Sequence, residues 1–447
     1  MQKKFFGTDG IRGRANTPPM TAEIAMKLGL AAGSFFRNGG HRHRVIIGKD
    51  TRLSGYLIEP ALVSGFIAAG MDVVLVGPLP TPAVAMLTRS MRADLGIMIS
   101  ASHNPYYDNG IKIFGPDGYK LSDKIELIIE DKITNNDFTY ADSHNLGRAK
   151  RLDDAAGRYI EFVKNTFPKK LILDGLKIVV DSANGAAYNI SELIFTELGA
   201  EVISIAAEPN GFNINDKCGS TYPKYAQKAV IEHQADLGII LDGDADRLIM
   251  VDENGKLVDG DELIAIIATY LSEQNSLKNM TVVATIMSNL GLEQYLNSLN
   301  INLIRTKVGD RYVVEEMRNG DISLGGEQSG HLILAEHATT GDGLVAALQI
   351  LAALIIKNKK MSELANTFTP LPQIMRNIQS RLSLSAGEIE ELTIKTNKVL
   401  GNKGRLLIRK SGTESLIRVM IEGEDLALIT NLLNEICIEI EATLQCK

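Results

Sequence analysis

The chain has 447 residues, of which 45% are hydrophobic and 40 are glycine, a composition typical of a folded protein rather than a disordered one. This length predicts about three or four domains. The formal net charge is −7, with acidic and basic residues interspersed, which argues against a broad nucleic-acid-binding surface. The three cysteines form no CxxC pair, so we expect reduced thiols in a cytoplasmic protein.

No targeting or membrane-spanning segment is predicted. The first ten residues, MQKKFFGTDG, reach Gly7 and Asp9 before an apolar stretch could form. The longest apolar run, 344–356, contains Gln349 and is shorter than the ~20 residues that cross a membrane. We therefore expect a buried helix there and no membrane partner.

The N-terminal part of the chain alternates helix-like and strand-like patterns. Thr21 begins a helical pattern, and the runs RVIIG (44–48) and MDVVLVG (71–77) are typical of short buried strands. Strands separated by segments of helix length indicate βαβ units and a mostly parallel sheet.

An internal repeat extends this pattern. ADLGIMIS (93–100) returns as ADLGIILD (235–242), and a weaker third copy begins GDISLGGEQSGH (320–331). Each copy ends in a loop dense with reactive side chains. Open α/β sheets bind ligands at the carboxyl ends of their strands, so we expect the three loops to share one site.

Composition shifts divide the chain into four predicted domains. The boundaries lie near three segments of polar or turn-forming composition: the polar stretch ADSHNLGRAK, the turn DENGK and the proline-containing NTFTPLPQ. The last part holds two strand-like runs and an amphipathic helix, which indicates a smaller α+β domain. The predicted limits are 1–150, 151–254, 255–367 and 368–447.

The segment LDGDADR contains Asp242, Asp244 and Asp246 at a spacing of two, so an extended loop would direct all three carboxylates one way. Crowded carboxylates repel each other, and a divalent cation with oxygen ligands, such as Mg²⁺, relieves the repulsion. An EF-hand is excluded because Arg247 replaces the required glycine and a strand follows. The alternative is a solvated acidic turn.

The segment ISASHNPYYDNGIKI contains two serines beside His103. Ser102 lies further into the loop than Ser100, to which we assign a structural role. A serine hydroxyl becomes a nucleophile only when a base or a metal activates it, and an ordinary turn or helix cap is the alternative. Ser182 in VVDSANGAA is a rival, but its sequence is typical of a strand–turn–helix connection.

Two further loops carry polar groups suited to a sugar phosphate. In GGEQSGH (325–331), Glu327 and Ser329 offer partners for hydroxyls, although an ordinary glycine turn explains the same residues. In RKSGTESLIR (409–418), small residues expose backbone N–H groups between two arginines, which is typical of a phosphate cradle rather than a Walker loop. Its candidate residues are Arg409, Ser411, Gly412, Thr413 and Arg418.

Together, a metal site, a hydroxyl, a hydroxyl-binding loop and a phosphate cradle indicate phosphoryl transfer to or from a polyol phosphate. The segments FFGTDGIRG, ISASHNPYYDNGIKIF, DGDADR, GEQSGH and SGTE occur in this order over nearly the whole chain. With them the sequence resembles the α-D-phosphohexomutases, most closely the bacterial members that act on glucosamine phosphate. The resemblance implies an α/β fold of three related domains with mixed, mostly parallel sheets and a C-terminal α+β domain like the TATA-binding protein.

The resemblance also implies a reaction. Phosphorylated Ser102 would donate to glucosamine 6-phosphate, and the resulting 1,6-bisphosphate, which also serves as activator, would reorient and release glucosamine 1-phosphate for amino-sugar nucleotide and cell-wall precursor synthesis. One Mg²⁺ per site would be held by Ser102, Asp242, Asp244 and Asp246. The implied substrate-binding residues are Arg12, Glu327, Ser329, His331, Arg409, Ser411, Gly412, Thr413 and Arg418.

The reaction would need positive charge more than a strong nucleophile, and Lys112 and Arg247 could provide it with the metal. Either Lys112 or His103 would handle the hydroxyl proton, and the residues do not decide between them. Arg12 is a candidate for steadying the phosphoserine. The oligomeric state is open between monomer and homodimer.

The sequence departs from the family pattern at three places. Proline is common where Lys410 and Ser415 flank SGTE, and arginine is usual where Lys49 stands. Loss of the prolines would loosen the phosphate loop without removing its donors. Lysine in place of arginine keeps the charge but loses the bidentate geometry. The alternatives are a glucose or mannose phosphate mutase of the same family and, from another class, a non-catalytic sugar-phosphate-binding protein.

Overall fold

The computed structural model describes residues 4–7, 9–380, 382, 384–410 and 416–445. Their strands form four sheets that follow one another along the chain. The first three sheets, with their helices, are here called the first, second and third α/β units, and the fourth belongs to a C-terminal unit. No described helix combines the length and the apolar character needed to cross a membrane.

The first α/β unit contains a mixed sheet of seven strands. Its elements are β1 Phe6–Gly7, β2 Gly10–Arg14, α1 Ala22–Phe36, β3 Arg44–Lys49, α2 Gly55–Ala68, β4 Asp72–Pro78, α3 Thr81–Ser90, β5 Leu95–Ile99, β6 Asp108–Phe114, α4 Asp123–Asn135 and β7 Ala149–Arg151. The strand order is β1-β2-β6-β5-β3-β4-β7, parallel from β5 to β7 and antiparallel elsewhere. The helix predicted from Thr21 is present, and the Thr21 hydroxyl caps its first turn by accepting from the Ile24 N–H.

The second α/β unit has five strands in the order β12-β11-β10-β8-β9. Its elements are α5 Ala155–Lys164, β8 Lys177–Asp181, α6 Ser191–Glu197, β9 Glu201–Ile205, α7 Lys224–His233, β10 Leu237–Leu241, β11 Leu248–Asp252 and β12 Leu257–Val258. The strands β10 and β11 run antiparallel, whereas β10, β8 and β9 are parallel neighbours.

The third α/β unit has four strands in the order β14-β13-β15-β16. Its elements are α8 Gly260–Glu273, β13 Thr281–Thr285, α9 Leu290–Ser298, β14 Asn302–Thr306, α10 Asp310–Asn319, β15 Leu324–Gly326, β16 Leu332–Leu334, α11 Gly343–Lys357 and α12 Met361–Ala365. The apolar run predicted as a buried helix is α11, whose residues from Gly343 to Leu354 are all buried. Three single 3₁₀ turns complete the described secondary structure, at Ser143–Asn145, Lys278–Met280 and Gly401–Lys403.

The internal repeat corresponds to one recurring arrangement. In each α/β unit a central strand with a parallel neighbour on one side turns into an antiparallel strand on the other: β5 into β6, β10 into β11 and β15 into β16. The connecting segments are residues 100–107 (the serine loop), 242–247 (the acidic loop) and 327–331 (the sugar loop). Apolar side chains of the three units form one continuous core that includes Ile46, Val180 and Leu348.

The C-terminal unit is an antiparallel sheet of three strands with two helices packed on it. Its elements are β17 Gln373–Gln379, α13 Ala386–Leu400, β18 Gly404–Lys410, β19 Leu416–Gly423 and α14 Leu426–Gln445. It has a separate core that includes Val419 and Ile440. The buried Glu422 carboxylate accepts a hydrogen bond from the Leu290 N–H of the third unit at 3.1 Å. The mixed sheets and the C-terminal α+β unit confirm the predicted fold class.

Candidate active site

The serine, acidic and sugar loops lie next to one another, as the repeat predicted. The Thr81 N–H, at the start of α3, donates to the Asp244 carbonyl oxygen at 3.0 Å and joins the first unit to the acidic loop. The N–H of Leu248, the residue that follows the acidic loop, donates to the Gly330 carbonyl oxygen at 2.9 Å and brings the sugar loop next to it. Each loop follows the carboxyl end of its strand, so three separate sheets contribute to one site.

Ser102 projects its hydroxyl into the acidic loop. Its Oγ donates to Asp242 Oδ2 at 2.5 Å and lies 3.3 Å from His103 Nδ1. The residue is 1% exposed, and its φ of +52° places a non-glycine residue in the left-handed region. Such a backbone conformation persists only where surrounding contacts hold it, and it often occurs at functional sites.

The contacts that hold the loop come from its neighbours. The Ser100 hydroxyl donates to Asp50 Oδ2 at 2.6 Å and accepts from the Ser102 N–H at 2.9 Å. The buried Arg52 side chain pairs with the same carboxylate at 2.8 Å. Its guanidinium also donates to four backbone carbonyl oxygens of the serine loop and the start of β6, those of Ser102, Asn104, Pro105 and Asp108.

Asp242, Asp244 and Asp246 are buried, and one carboxylate oxygen of each lies within 4.8 Å of the others. Burial and the neighbouring charges of Asp246 and Asp244 raise the pKa of Asp242 to about 8. Oδ1 of Asp244 and Oδ1 of Asp246 are buried without a hydrogen-bond partner. Two such oxygens beside a third carboxylate fit the ligand set of a divalent cation, which prefers oxygen.

Lys112 provides positive charge within this cluster. Its Nζ lies 2.7 Å from Asp244 Oδ2 and 2.8 Å from Asp246 Oδ2, and the residue is 1% exposed. Burial opposes the charged form, but the carboxylates of Asp244, Asp246 and Asp9 raise the pKa of Lys112 well above its usual range. The same ammonium helps hold the pKa of Asp246 well below its usual range despite burial. Lys112 therefore remains protonated.

His103 lies beside the serine hydroxyl, and Arg247 ends the acidic loop and contacts Asp242 through its backbone. Burial, with the positive charges of Arg247 and Arg12, lowers the pKa of His103 to about 4, so the imidazole is neutral at neutral pH. The backbone N–H of Arg247 donates to Asp242 Oδ1 at 3.2 Å, while its side-chain Nε is buried without a hydrogen-bond partner. The imidazole beside the serine hydroxyl is thus neutral, and the positive charge of Arg247 acts on it from nearby.

A network of ion pairs that was not predicted from the sequence connects the site to the third unit. Asp9 is paired with Arg12 and Lys120, and Lys120 Nζ also lies 2.5 Å from Asp310 Oδ2 at the start of α10. Burial opposes ionisation of Asp9, but Lys112 and Lys120 hold its pKa well below the usual range. Arg12 donates to the Ala101 carbonyl oxygen at 3.5 Å, so it lies beside the serine loop.

The sugar-loop residues occupy different environments. The Gly309 N–H donates to Glu327 Oε1 at 2.9 Å, and the exposed Ser329 donates to Glu327 Oε2 at 3.4 Å. His331 is instead buried, with Nδ1 3.5 Å from Asp246 Oδ1. The Gly341 N–H donates to its Nε2 at 3.2 Å, which requires that nitrogen to be unprotonated. Glu327 is thus partly exposed and Ser329 is exposed to solvent, whereas His331 lies against the acidic loop.

The two arginines of the predicted phosphate cradle are direct partners in the fourth sheet. Arg409 of β18 lies opposite Arg418 of β19, and both are half-buried. Partial burial and the Arg418 charge lower the pKa of Arg409. A bound anion would relieve that repulsion. The predicted residues Ser411, Gly412 and Thr413, and the departure at Ser415, lie outside the described residues.

The structure also places three other residues considered in the sequence analysis. The Ser182 hydroxyl is fully buried and bonded to the Ser191 hydroxyl at 2.7 Å, so it serves the strand–turn–helix connection. Lys49, where arginine is usual, donates through Nζ to Glu59 Oε2 at 2.5 Å. The Cys218 thiol is buried, and burial raises its pKa to about 12.

Sequence reasoning missed the residues that support the site rather than line it. They are Asp9, Asp50, Arg52, Thr81, Lys120, Asn215 and Asp310. The segment KDTRLSG begins at the last residue of β3, so it lies at the same edge of the sheet as the serine loop. This position could have identified Asp50 and Arg52 as candidates from the sequence. No local pattern marks Thr81 or Asn215, whose partners are more than a hundred residues away.

The chain matches family models along its length. The α/β/α domains I, II and III of phosphoglucomutase/phosphomannomutase match residues 3–140, 157–255 and 259–371, and the C-terminal domain of the same family matches residues 356–439.

Curated relatives align with this chain over nearly its full length. The phosphoglucosamine mutase of Parvibaculum lavamentivorans is 58% identical over 99% of both chains. That of Paramagnetospirillum magneticum is 60% identical over 96% of both chains.

Among solved structures, a phosphoglucomutase/phosphomannomutase family protein from Burkholderia thailandensis superimposes with a TM-score of 0.82 at 23% identity, over 97% of both chains. The Aspergillus fumigatus N-acetylphosphoglucosamine mutase has a TM-score of 0.69 at 16% identity, with 99% of this chain and 96% of that chain covered. These two show the shared fold. From the domain models and the curated relatives, the chain belongs to the phosphoglucomutase/phosphomannomutase family.

Proposed function

We propose that the protein is a phosphoglucosamine mutase, which interconverts glucosamine 6-phosphate and glucosamine 1-phosphate through phosphorylated Ser102 and a 1,6-bisphosphate. The observation that carries the proposal is the contact of Ser102 Oγ with Asp242 Oδ2 at 2.5 Å, inside the acidic cluster. A serine held against three buried carboxylates is poorly placed to attack a carbonyl group. It is well placed to carry a phosphoryl group next to a divalent cation.

The cation would be Mg²⁺, one per site, held by Asp242, Asp244, Asp246 and phosphorylated Ser102. Oδ1 of Asp244 and Oδ1 of Asp246, which are buried without a hydrogen bond, support this ligand set. When bound, Mg²⁺ would neutralise charge on the phosphoryl oxygens. The fungal relative named above was crystallised with GlcNAc-6P and magnesium.

Two side chains add positive charge around the phosphoryl group. Lys112 Nζ lies 2.7 Å from Asp244 Oδ2 and 2.8 Å from Asp246 Oδ2, which places its charge within the proposed metal site. Arg247 has a buried Nε without a partner and is the cation nearest in sequence to the acidic cluster. Phosphoryl transfer depends mainly on positioning and charge neutralisation, which these residues supply.

The transfer itself exchanges a phosphoryl group for a proton. The bond from phosphorus to Ser102 Oγ breaks, a bond from phosphorus to a sugar hydroxyl oxygen forms, and the hydroxyl proton ends on Ser102 Oγ. His103 is neutral, and its Nδ1 lies 3.3 Å from that oxygen, so we assign the proton relay to His103 rather than Lys112. The reverse sequence returns the second phosphoryl group of the bisphosphate to Ser102.

The substrate would bridge the α/β units and the C-terminal unit. Glu327 and Ser329 would bind sugar hydroxyls, with Arg12 close to the phosphoserine and His331 supporting Asp246 beside the sugar loop. Arg409 and Arg418 would hold the phosphate that is not reacting, since two opposed guanidiniums favour a dianion. The names of the curated relatives support glucosamine phosphate as the sugar.

Intact-mass measurement before and after phosphatase treatment tests the phosphoserine. The expected result is one removable phosphoryl group in the wild type and none in Ser102→Ala, with mutase turnover lost in that variant. Ser182→Ala is the matched control, because Ser182 also follows a strand but bonds only within its own unit. If Ser102→Ala retains full turnover, the phosphoserine mechanism is wrong.

A substrate comparison tests the choice of sugar. With glucose 1,6-bisphosphate as activator, we expect faster turnover of glucosamine 6-phosphate than of glucose 6-phosphate or mannose 6-phosphate. A preference for a neutral sugar would replace this assignment with a glucose or mannose phosphate mutase. Binding of all three without turnover, and without phosphoserine, would indicate a non-catalytic sugar-phosphate-binding protein.

A further inference from the structure

Two histidines and an aspartate meet at the edge of the first sheet opposite to the serine loop. His41 and His43 lie just before β3 begins at Arg44, and Asp94 lies just before β5 begins at Leu95. His41 Nε2 is 2.8 Å and His43 Nδ1 is 3.1 Å from the same oxygen, Asp94 Oδ1. Among the described residues, this cluster and the acidic loop are the two groups whose ligand atoms all lie within 4.8 Å of one another.

The three side chains bring three ligand atoms close together and leave one side open, as in a metal site with unfilled coordination positions. The spacing of two residues places His41 and His43 on the same side of extended chain, and their ring centroids are 4.0 Å apart. The His43 side chain is 4% exposed, and Asp94 is held by the Arg44 N–H, which donates to Oδ2 at 2.7 Å. Asp94 Oδ1 and the two imidazole nitrogens therefore lie close together, and backbone hydrogen bonds at the sheet edge hold Asp94 and His43. The His41 side chain, 60% exposed, leaves the open side to solvent.

We propose that His41, His43 and Asp94 bind one divalent transition-metal ion of the Zn²⁺ class, with water completing the coordination. Two imidazole nitrogens and one carboxylate oxygen suit Zn²⁺, Co²⁺ and Ni²⁺, whereas Mg²⁺ prefers an all-oxygen set such as the acidic loop. The two sites therefore select different ions.

The ion would not take part in phosphoryl transfer. The strands β3 and β5 contain six and five residues. At about 3.3 Å per residue, the histidine cluster lies roughly 15–20 Å from the serine loop along the sheet. Binding would instead tie the segment before β3 to the segment before β5 and stabilise the first unit.

Equilibrium dialysis against Zn²⁺ in excess Mg²⁺ tests the site, since Mg²⁺ then occupies the acidic loop. The expected result is one Zn²⁺ per wild-type chain, an affinity lower by about 10- to 100-fold in His41→Ala and Asp94→Asn, and no change in His144→Ala. His144 is an exposed histidine outside the cluster. Mutase turnover should be the same in the wild type and in His41→Ala, which also shows that the variant is folded.

Co²⁺ gives an independent measurement, because its visible absorption reports nitrogen ligands. Under the same conditions the wild type should develop a ligand-field band that His41→Ala lacks. Equal Zn²⁺ binding by the wild type and His41→Ala, or no binding by the wild type, would overturn the proposal and leave a hydrogen-bonded His–Asp–His cluster. Neither result depends on whether the protein is a phosphoglucosamine mutase.

Discussion

Arg52 Nη2 donates to the carbonyl oxygen of Ser102 at 2.9 Å, from a guanidinium that is fully buried. Asn215 of the second unit donates to the same carbonyl oxygen, also at 2.9 Å. Both side chains reach the Asn104 carbonyl oxygen as well, at 2.8 Å and 3.1 Å. The serine loop is therefore held from two units at once, which explains how Ser102 keeps a positive φ.

Arg52→Lys should slow the reaction without greatly weakening substrate binding. Lysine keeps a positive charge for Asp50 but cannot reach four carbonyl oxygens with one planar group. A displacement of Ser102 by about 1 Å costs on the order of 100-fold in rate, so we expect kcat to fall about 10- to 100-fold with KM nearly constant. Steady-state kinetics measures both constants.

The matched control for Arg52→Lys is Arg158→Lys, since Arg158 is an exposed arginine on α5 that pairs with Asp154. It should have wild-type kinetics. A variant at Arg52 with unchanged kcat would show that Asn215 and Ser100 position the serine loop without the guanidinium.

Lys112→Met should destabilise the metal-free protein and increase its response to Mg²⁺. The substitution leaves Asp244 and Asp246 buried without the ammonium that lies between 2.7 and 2.8 Å from them. Removal of one partner from a buried ion pair costs about 3–5 kcal/mol. Thermal unfolding with and without Mg²⁺ should show a lower Tm for the metal-free variant and a larger Mg²⁺-induced rise than in the wild type.

Lys120→Met provides the comparison, because Lys120 is also buried in ion pairs but contacts Asp9 and Asp310 rather than the acidic loop. Its Mg²⁺-induced rise in Tm should match that of the wild type. Identical rises in all three proteins would argue against a cation site at Asp244 and Asp246.

Arg409→Gln should raise KM more than it lowers kcat. Arg409 and Arg418 repel each other across neighbouring strands, and a phosphate dianion between them would gain from both. Loss of one charge-assisted contact of about 1.5–3 kcal/mol corresponds to a KM increase of roughly 10- to 100-fold. The charge-matched control is Lys403→Gln, in the same unit but exposed and paired with Glu424. An unchanged KM in Arg409→Gln would place the phosphate elsewhere.

Asp342→Asn should remove a pH-dependent part of stability. Burial raises the pKa of Asp342 to about 6, although the N–H groups of Leu344 and Val345 and the Tyr159 hydroxyl donate to it. In the unfolded chain the pKa is about 3.9, so the folded protein holds this proton at higher pH. The resulting stabilisation is complete below about pH 4 and is lost as the pH rises through about 6.

Midpoints of urea unfolding, measured between acidic and neutral pH, test whether stability falls as the pH rises. Relative to Asp342→Asn, the wild type should lose up to about 3 kcal/mol of unfolding free energy over that range. Asp153→Asn is the control, since the Asp153 side chain is 90% exposed and should leave the pH dependence unchanged. A wild-type curve parallel to that of Asp342→Asn would show that burial of Asp342 does not shift its titration.

The domain limits near residues 150, 254 and 367 and the roles of the individual site residues stay predictions, whereas the fold class and the family were predicted correctly from the sequence. Hydrophobic periodicity located β3, β4 and α11, because burial of one face or of a whole element leaves a local pattern. The ADLGI repeat identified equivalent strands, and the residues after each strand marked the three loops.

The sequence by itself therefore determined the elements, their repetition and the loops that carry chemistry. Only the tertiary structure decided which charges meet. Asp242 and Asp246 are four residues apart, yet burial beside other carboxylates raises the pKa of Asp242, whereas the charge of Lys112 holds that of Asp246 low. Such differences arise from side chains far away along the chain, and electrostatic energy depends on distance and burial in space rather than on sequence spacing.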